Sequence, residues 1–103
     1  MELKEEIIND ITNNRIMLYM KGTKDQPMCG FSATIVKILN YYDVDFVATN
    51  VLENPNIRVE LSKYSNWPTI PQLFVEGELI GGCDIALEMH QQGQLQSVLV
   101  KNS

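Results

Sequence analysis

Apolar residues along this chain recur with two periods, and the switch between them predicts the order of its elements. Leu3, Ile7, Ile8 and Ile11 repeat at helical spacing, so residues 3 to 13 form an amphipathic helix that Asn13-Asn14 ends. Residues 15 to 20 are an almost unbroken apolar run, the pattern of a central strand covered on both faces. Lys21 to Met28 is a loop carrying Gly22 and Pro27. From Gly30 the helical period returns, with Phe31, Ile35, Ile38, Leu39 and Tyr42 on one stripe, and Asp45 to Val51 reads as a second strand. Asn54-Pro55 starts the next helix, since Asn caps free amides and Pro suits the first turn; Ile57, Leu61 and Tyr64 point inward, and the helix stops near Ser65-Asn66. Ile70 to Val75 is a third strand, Glu76-Gly77 a tight turn, and Glu78 to Ile80 a fourth strand. Gly81-Gly82 breaks it, Asp84 caps a last helix, and Gly93 ends that helix before a short carboxy-terminal piece.

The order is α-β-α-β-α-β-β-α. A β-α-β crossover makes the first two strands parallel, and its right-handed connection fixes the winding. The closing hairpin adds antiparallel strands. The expectation is an α/β protein with a four-stranded mixed sheet flanked by helices on both faces, the arrangement of the thioredoxin fold. With 103 residues and no internal repeat or linker, residues 1–103 read as one domain.

Charge narrows the function. Eight Lys and Arg against thirteen Asp and Glu give −5, with the cations scattered. Such a surface repels phosphate backbones and anionic lipid, so neither nucleic acid nor a membrane is expected as a partner. The longest apolar runs are too short to span a bilayer. The start, Met-Glu-Leu-Lys-Glu-Glu, suits neither a secretory signal nor a transit peptide. Two cysteines 54 positions apart, Cys29 and Cys83, do not make a disulfide framework. A reducing, cytoplasmic setting follows as the expectation.

Cys29 sits where a loop enters a helix, and helix-start amides favour an anion and lower a thiol's pKa, with Lys21 adding charge across the loop. The competing reading is an inert buried thiol, against which Pro27 and Gly30 argue for exposure. A redox Cys-x-x-Cys pair would place a second thiol at 32, but the sequence there is Cys29-Gly30-Phe31-Ser32. One sulfur can attack; an outside thiol must finish. Ser32 either hydrogen-bonds the thiolate or is a plain helix residue. Trp67 and Phe31 either flank the site or simply pack. Cys83 is a small buried residue or the disulfide partner of Cys29. His90 faces solvent on the last helix, and with two cysteines it leaves a structural zinc site one ligand short.

Met20-Lys21-Gly22-Thr23, Cys29-Gly30-Phe31-Ser32, Trp67-Pro68-Thr69-Ile70-Pro71-Gln72-Leu73 and Gly81-Gly82-Cys83-Asp84 follow one another at domain spacing, with Asn54-Pro55-Asn56-Ile57-Arg58 between them. Together they resemble the signature blocks of the CGFS-type monothiol glutaredoxins over nearly the whole chain. The resemblance implies glutathione binding: Lys21 and Arg58 pair with the glycyl carboxylate. Ile70, before a cis Pro71, offers its backbone to the cysteinyl unit. The amides at Gly82-Cys83-Asp84 hold the γ-glutamyl carboxylate, and Asp84 takes the ammonium while it also caps the helix. Pro68 is expected trans.

It further implies a [2Fe–2S] cluster bridged between two chains by two Cys29 thiolates and two glutathione thiolates, in a homodimer that is a monomer when apo. The cluster is handed to apo iron–sulfur proteins in cluster biogenesis and iron homeostasis, with BolA-like proteins as further partners. The alternative uses the same residues: reduction of protein–glutathione mixed disulfides through Cys29.

Overall fold

The computed structural model describes residues 1–100, so the last three positions of the expected 1–103 domain lie outside the described residues. The elements are α1 (Leu3–Asn13), β1 (Ile16–Met20), α2 (Gly30–Tyr41), β2 (Val47–Asn50), a 3₁₀ turn (Val51–Glu53), α3 (Pro55–Ser65), β3 (Gln72–Val75), β4 (Glu78–Gly81), α4 (Cys83–Gln91) and α5 (Leu95–Leu99). One mixed sheet has the order β2-β1-β3-β4: β1 is parallel to β2 and antiparallel to β3, and β3 is antiparallel to β4. This is the thioredoxin-like α/β arrangement expected from the pattern.

The unbroken apolar run of β1 follows from its place inside the sheet. Successive side chains point to opposite faces. Ile16, Leu18 and Met20 enter the core under α2 and α4, while Met17 and Tyr19 enter the core under α1 and α3. All five are buried. Fully burying each such aliphatic side chain contributes roughly 1.5–3 kcal/mol, so β1 anchors both layers. Its last residue, Met20, leads directly to Lys21, which places that cation at the carboxyl end of the central strands.

Several sequence expectations are corrected. Phe31 lies on α2's apolar stripe but is 60% exposed, while Val36, off that stripe, is buried; of the α3 residues expected inward Leu61 is buried but Tyr64 is 42% exposed. The second strand is shorter than 45–51, because Val51 opens the 3₁₀ turn. The third begins at Gln72, just after Pro71, which has no N–H for a ladder. Gly82, not Asp84, is the N-cap of α4, and Asp84 sits inside its first turn. His90 does not simply face solvent. Its Nδ1 lies 2.6 Å from the Tyr42 hydroxyl, and its ring meets Tyr41 and Tyr42 edge-on.

The predicted tight turn and the Asn54 cap are present. Asn54 Oδ1 accepts from the Asn56 amide at 3.0 Å with Pro55 opening α3. Glu76 and Gly77 both adopt positive φ (50° and 83°), the requirement of a two-residue type I′ hairpin.

Candidate functional site

Three structural devices converge at the carboxyl end of the sheet: the loop from Lys21 to Cys29, the segment from Trp67 to Pro71, and the start of α4. They enclose a cavity of about 410 Å³. Every residue that the sequence singled out for ligand contact lines it: Lys21, Cys29, Arg58, Ile70, Cys83 and Asp84. Phe31 and Trp67 line it too, so these aromatic residues flank the site. The exposed position of Phe31 on α2's first turn puts its ring at the cavity.

Cys29 is the N-cap of α2, with extended backbone (φ −150°), and its thiol makes no capping hydrogen bond. Ionisation is nevertheless favoured. The Ser32 amide contributes most to lowering the thiol's pKa; the Phe31 amide, the Ser32 hydroxyl and the Lys21 charge act in the same direction, against a desolvation that opposes them. Ser32 is fully buried, and its Oγ accepts from the Lys21 amide at 3.1 Å. That leaves the hydroxyl proton uncommitted, and the hydroxyl acts on Cys29 in the direction that favours its thiolate.

Cys83 is buried, and both cysteines are free thiols. Burial pushes its pKa up, and the charges of Asp84 and Cys29 push the same way, with the Thr34 hydroxyl opposing. Two sulfurs on one cavity therefore differ in readiness.

The charged groups are uncommitted. Among the described residues Lys21, Arg58 and Asp84 form no ion pair. Two unpaired cations and one unpaired carboxylate around a reactive sulfur suit a small zwitterion that carries carboxylates and an ammonium. The Ile70–Pro71 peptide is cis and Pro68 follows a trans bond, as expected. The wall behind is held by Gln72, fully buried, whose Nε2 donates to the carbonyls of Trp67 at 3.0 Å and Thr69 at 3.1 Å. At Gly82 a Cβ would lie 3.3 Å from the Pro71 carbonyl oxygen, a tight contact, and 3.5 Å from Trp67 Nε1, so a larger residue there would crowd the wall. Sequence reasoning gave no role to Gln72; a polar residue in an apolar strand was the available signal.

No group of three or more His, Cys, Asp or Glu side chains that could hold a metal ion occurs among the described residues. No helix among them is long and apolar enough to cross a membrane.

The glutaredoxin family model matches residues 16–80. The chain is 54% identical over 95 residues to the probable monothiol glutaredoxin 2 of Rickettsia felis, covering 92% of this chain and 91% of that protein. It is 50% identical over 101 residues to glutaredoxin 4 of Buchnera aphidicola, covering 98% and 94%. Among solved structures, reduced apo GrxS14 of poplar is 48% identical, with a TM-score of 0.81 and coverage of 91% and 86%. A monomeric truncated mutant of Trypanosoma brucei 1-C-Grx1 is 32% identical, with a TM-score of 0.84 and coverage of 93% and 87%. Near-full-length identity to monothiol relatives, joined to a cavity built round Cys29-Gly30-Phe31-Ser32, means that the chain belongs to the glutaredoxin family, among its monothiol CGFS-type members.

Proposed function

We propose that this protein holds glutathione in the cavity beside Cys29 and carries a [2Fe–2S] cluster between two subunits for delivery to apo iron–sulfur proteins. The observation that carries the reading is a single activated thiol, with Ser32 where a second would stand, beside uncommitted charges. In this reading Lys21 and Arg58 take the glycyl carboxylate, and the Ile70 backbone pairs with the cysteinyl unit. The amides at the start of α4 take the γ-glutamyl carboxylate, and Asp84 takes the ammonium.

The donor set fits a shared cluster. Four thiolates are the usual requirement. One chain offers only Cys29 in thiolate-ready form, since Cys83 is buried with its pKa raised. A twofold pair of chains with two glutathione thiolates completes four. Without the cluster the acidic charge opposes pairing, which makes the apo form a monomer. Recipient apo-proteins and BolA-like proteins would dock at the cavity face. A free-thiol site suits a reducing, cytoplasmic setting.

The lowered pKa of Cys29 also favours a second reading, glutathione-dependent reduction of mixed disulfides. The thiolate attacks the glutathione sulfur, the protein thiolate leaves, and a second glutathione thiolate then releases Cys29 as oxidised glutathione forms.

Anaerobic reconstitution with iron, sulfide and glutathione, followed by sizing and iron and glutathione analysis, tests the proposal. The expected product is a dimer with two irons and two glutathiones, which falls apart when glutathione is stripped. A cluster-bearing monomer, or a holo-protein free of glutathione, overturns it. A reductase assay on the same preparation weighs the second reading.

A further inference from the structure

Asn50 ends β2 and does not line the cavity, yet its side-chain oxygen accepts two backbone hydrogen bonds. One comes from Gly22 at 2.9 Å, the other from Leu52 at 3.0 Å. Each donor belongs to a segment that carries one of the cavity's cations. Gly22 follows Lys21. Leu52 lies in the 3₁₀ turn that runs through the Asn54 cap into α3, and so to Arg58.

The Gly22 bond gains weight from the peptide that it belongs to. The same peptide unit supplies the Lys21 carbonyl, which accepts from the Met28 amide at 2.9 Å, one residue before Cys29. On the other side of Lys21, its own amide donates to Ser32 Oγ at 3.1 Å. One peptide plane is thus tied by its oxygen to the thiol's neighbour and by its nitrogen to Asn50. The loop has little room to adjust within itself. Gly22 has φ +92°, and a Cβ there would lie 2.5 Å from both Gln26 O and Met28 N. Its orientation on the sheet therefore depends on where it is fastened. At the tip, the Lys24 ammonium donates to the Phe46 carbonyl and lies 4.0 Å from the Phe46 ring centroid, but Lys24 is exposed. Both bonds are part-buried, but the one to Asn50 is made by the backbone of a buried residue, Gly22, rather than by a long exposed side chain.

We propose that Asn50 is a positioning residue of the cavity: its side-chain oxygen clamps the Lys21 loop to the lead-in of α3 and so sets the spacing of the Lys21 and Arg58 charges that receive a ligand carboxylate. This rests on the reading of the cavity as a glutathione site. The clamp needs an acceptor at the reach of Asn that serves two N–H groups. Asp supplies it; Ala does not.

The test uses S-methylglutathione, whose blocked sulfur cannot react with Cys29, titrated calorimetrically into wild type, Asn50→Ala, Asn50→Asp, Lys21→Ala and the Asn50→Ala/Lys21→Ala double variant. Asn50→Ala should weaken binding about fivefold, the worth of one lost hydrogen bond, and Asn50→Asp should restore it. Lys21→Ala should cost less in the Asn50→Ala background than alone, because the charge is already displaced. Amide exchange at Gly22 should be slow in wild type and Asn50→Asp and fast in Asn50→Ala. Should Asn50→Ala fail to fold, Asn50→Ser, too short to reach both donors, takes its place. Unchanged affinity in Asn50→Ala, strictly additive losses, no rescue by Asp, or a Gly22 amide already fast in wild type each overturns the clamp. A wild type that binds no S-methylglutathione sinks the glutathione reading instead, and the Gly22 exchange rates still judge Asn50.

Discussion

Two helices begin at this cavity, each with a cysteine at its start and neither with a side-chain cap, yet the two sulfurs are set in opposite states. Cys29 is the N-cap of α2. At that position the side chain faces back over the second and third helical amides, here Phe31 and Ser32, which lower its pKa. Cys83 is one residue further in, the first helical residue of α4 behind the Gly82 cap, and it is buried with Asp84 as its neighbour. Burial and like charge raise its pKa. A helix start by itself therefore does not activate a thiol. Register by one residue, exposure and the sign of the next side chain decide it.

The comparison breaks most visibly by deleting each sulfur. Cys29→Ser should abolish both cluster assembly and formation of a glutathione mixed disulfide, whereas Cys83→Ser should retain most of each. The loss at Cys29 is expected to be complete within assay limits, since no other thiolate-ready group lines the cavity. Visible absorption after reconstitution and intact-mass analysis after exposure to oxidised glutathione read both. A Cys83→Ser protein that lost the cluster while Cys29→Ser kept it would reverse the assignment.

A smaller change sharpens it. Ser32→Ala removes the hydroxyl that favours the Cys29 thiolate but leaves the stronger Ser32 amide in place. The sign is upward: the pKa of Cys29 moves partway back toward that of an ordinary thiol, so less thiolate exists at neutral pH. Alkylation of Cys29 at pH 7 should slow by about twofold to fivefold, the worth of one hydrogen bond. Its pH profile should shift to higher pH. An unmoved profile would mean that the hydroxyl does not act on the thiolate.

The order of the main elements, the start of α3 and the tight turn were legible in the sequence, because each rests on local chemistry: the period of β1, the Asn54-Pro55 start, the Glu76-Gly77 pair; the short α5 reads only as a carboxy-terminal piece. The cavity's charged residues were legible through their signature blocks, not through pattern; Arg58 alone reads as one more exposed helix charge. What escaped was set by tertiary packing. Phe31 obeys the helical stripe, yet its side chain is exposed and lines the cavity, while Ser32 beside it is buried. Asp84 has the chemistry of a cap, but Gly82 takes that place with the backbone pressed close to Pro71 and Trp67. His90 reads as a lone polar residue because Tyr41 and Tyr42, its ring partners, lie on another helix and its C-cap, nearly fifty positions away. The Asn50 clamp joins residues 28 positions apart and leaves no local signature.

The smallest expected effect concerns the other sulfur. Asp84 raises the pKa of Cys83, but desolvation by burial raises it more, and Asp84→Asn removes only the lesser of the two. The two residues are neighbours in α4's first turn, and Asn preserves the size and hydrogen-bonding reach of the side chain. In a Cys29→Ser background, which leaves one sulfur to follow, the pH profile of Cys83 alkylation should therefore move to lower pH by a modest amount. The absolute rate should stay low, because burial limits access whatever the charge. Asp84 also stands uncommitted at the cavity, so the same variant should weaken S-methylglutathione binding if its carboxylate receives the ligand ammonium; about threefold is expected for one exposed charge pair. The two measurements separate the roles. A shifted Cys83 profile with unchanged affinity would make Asp84 a local charge beside a thiol, and the reverse would make it a ligand contact. Neither moving would mean that Asp84 acts on neither the Cys83 thiol nor the ligand.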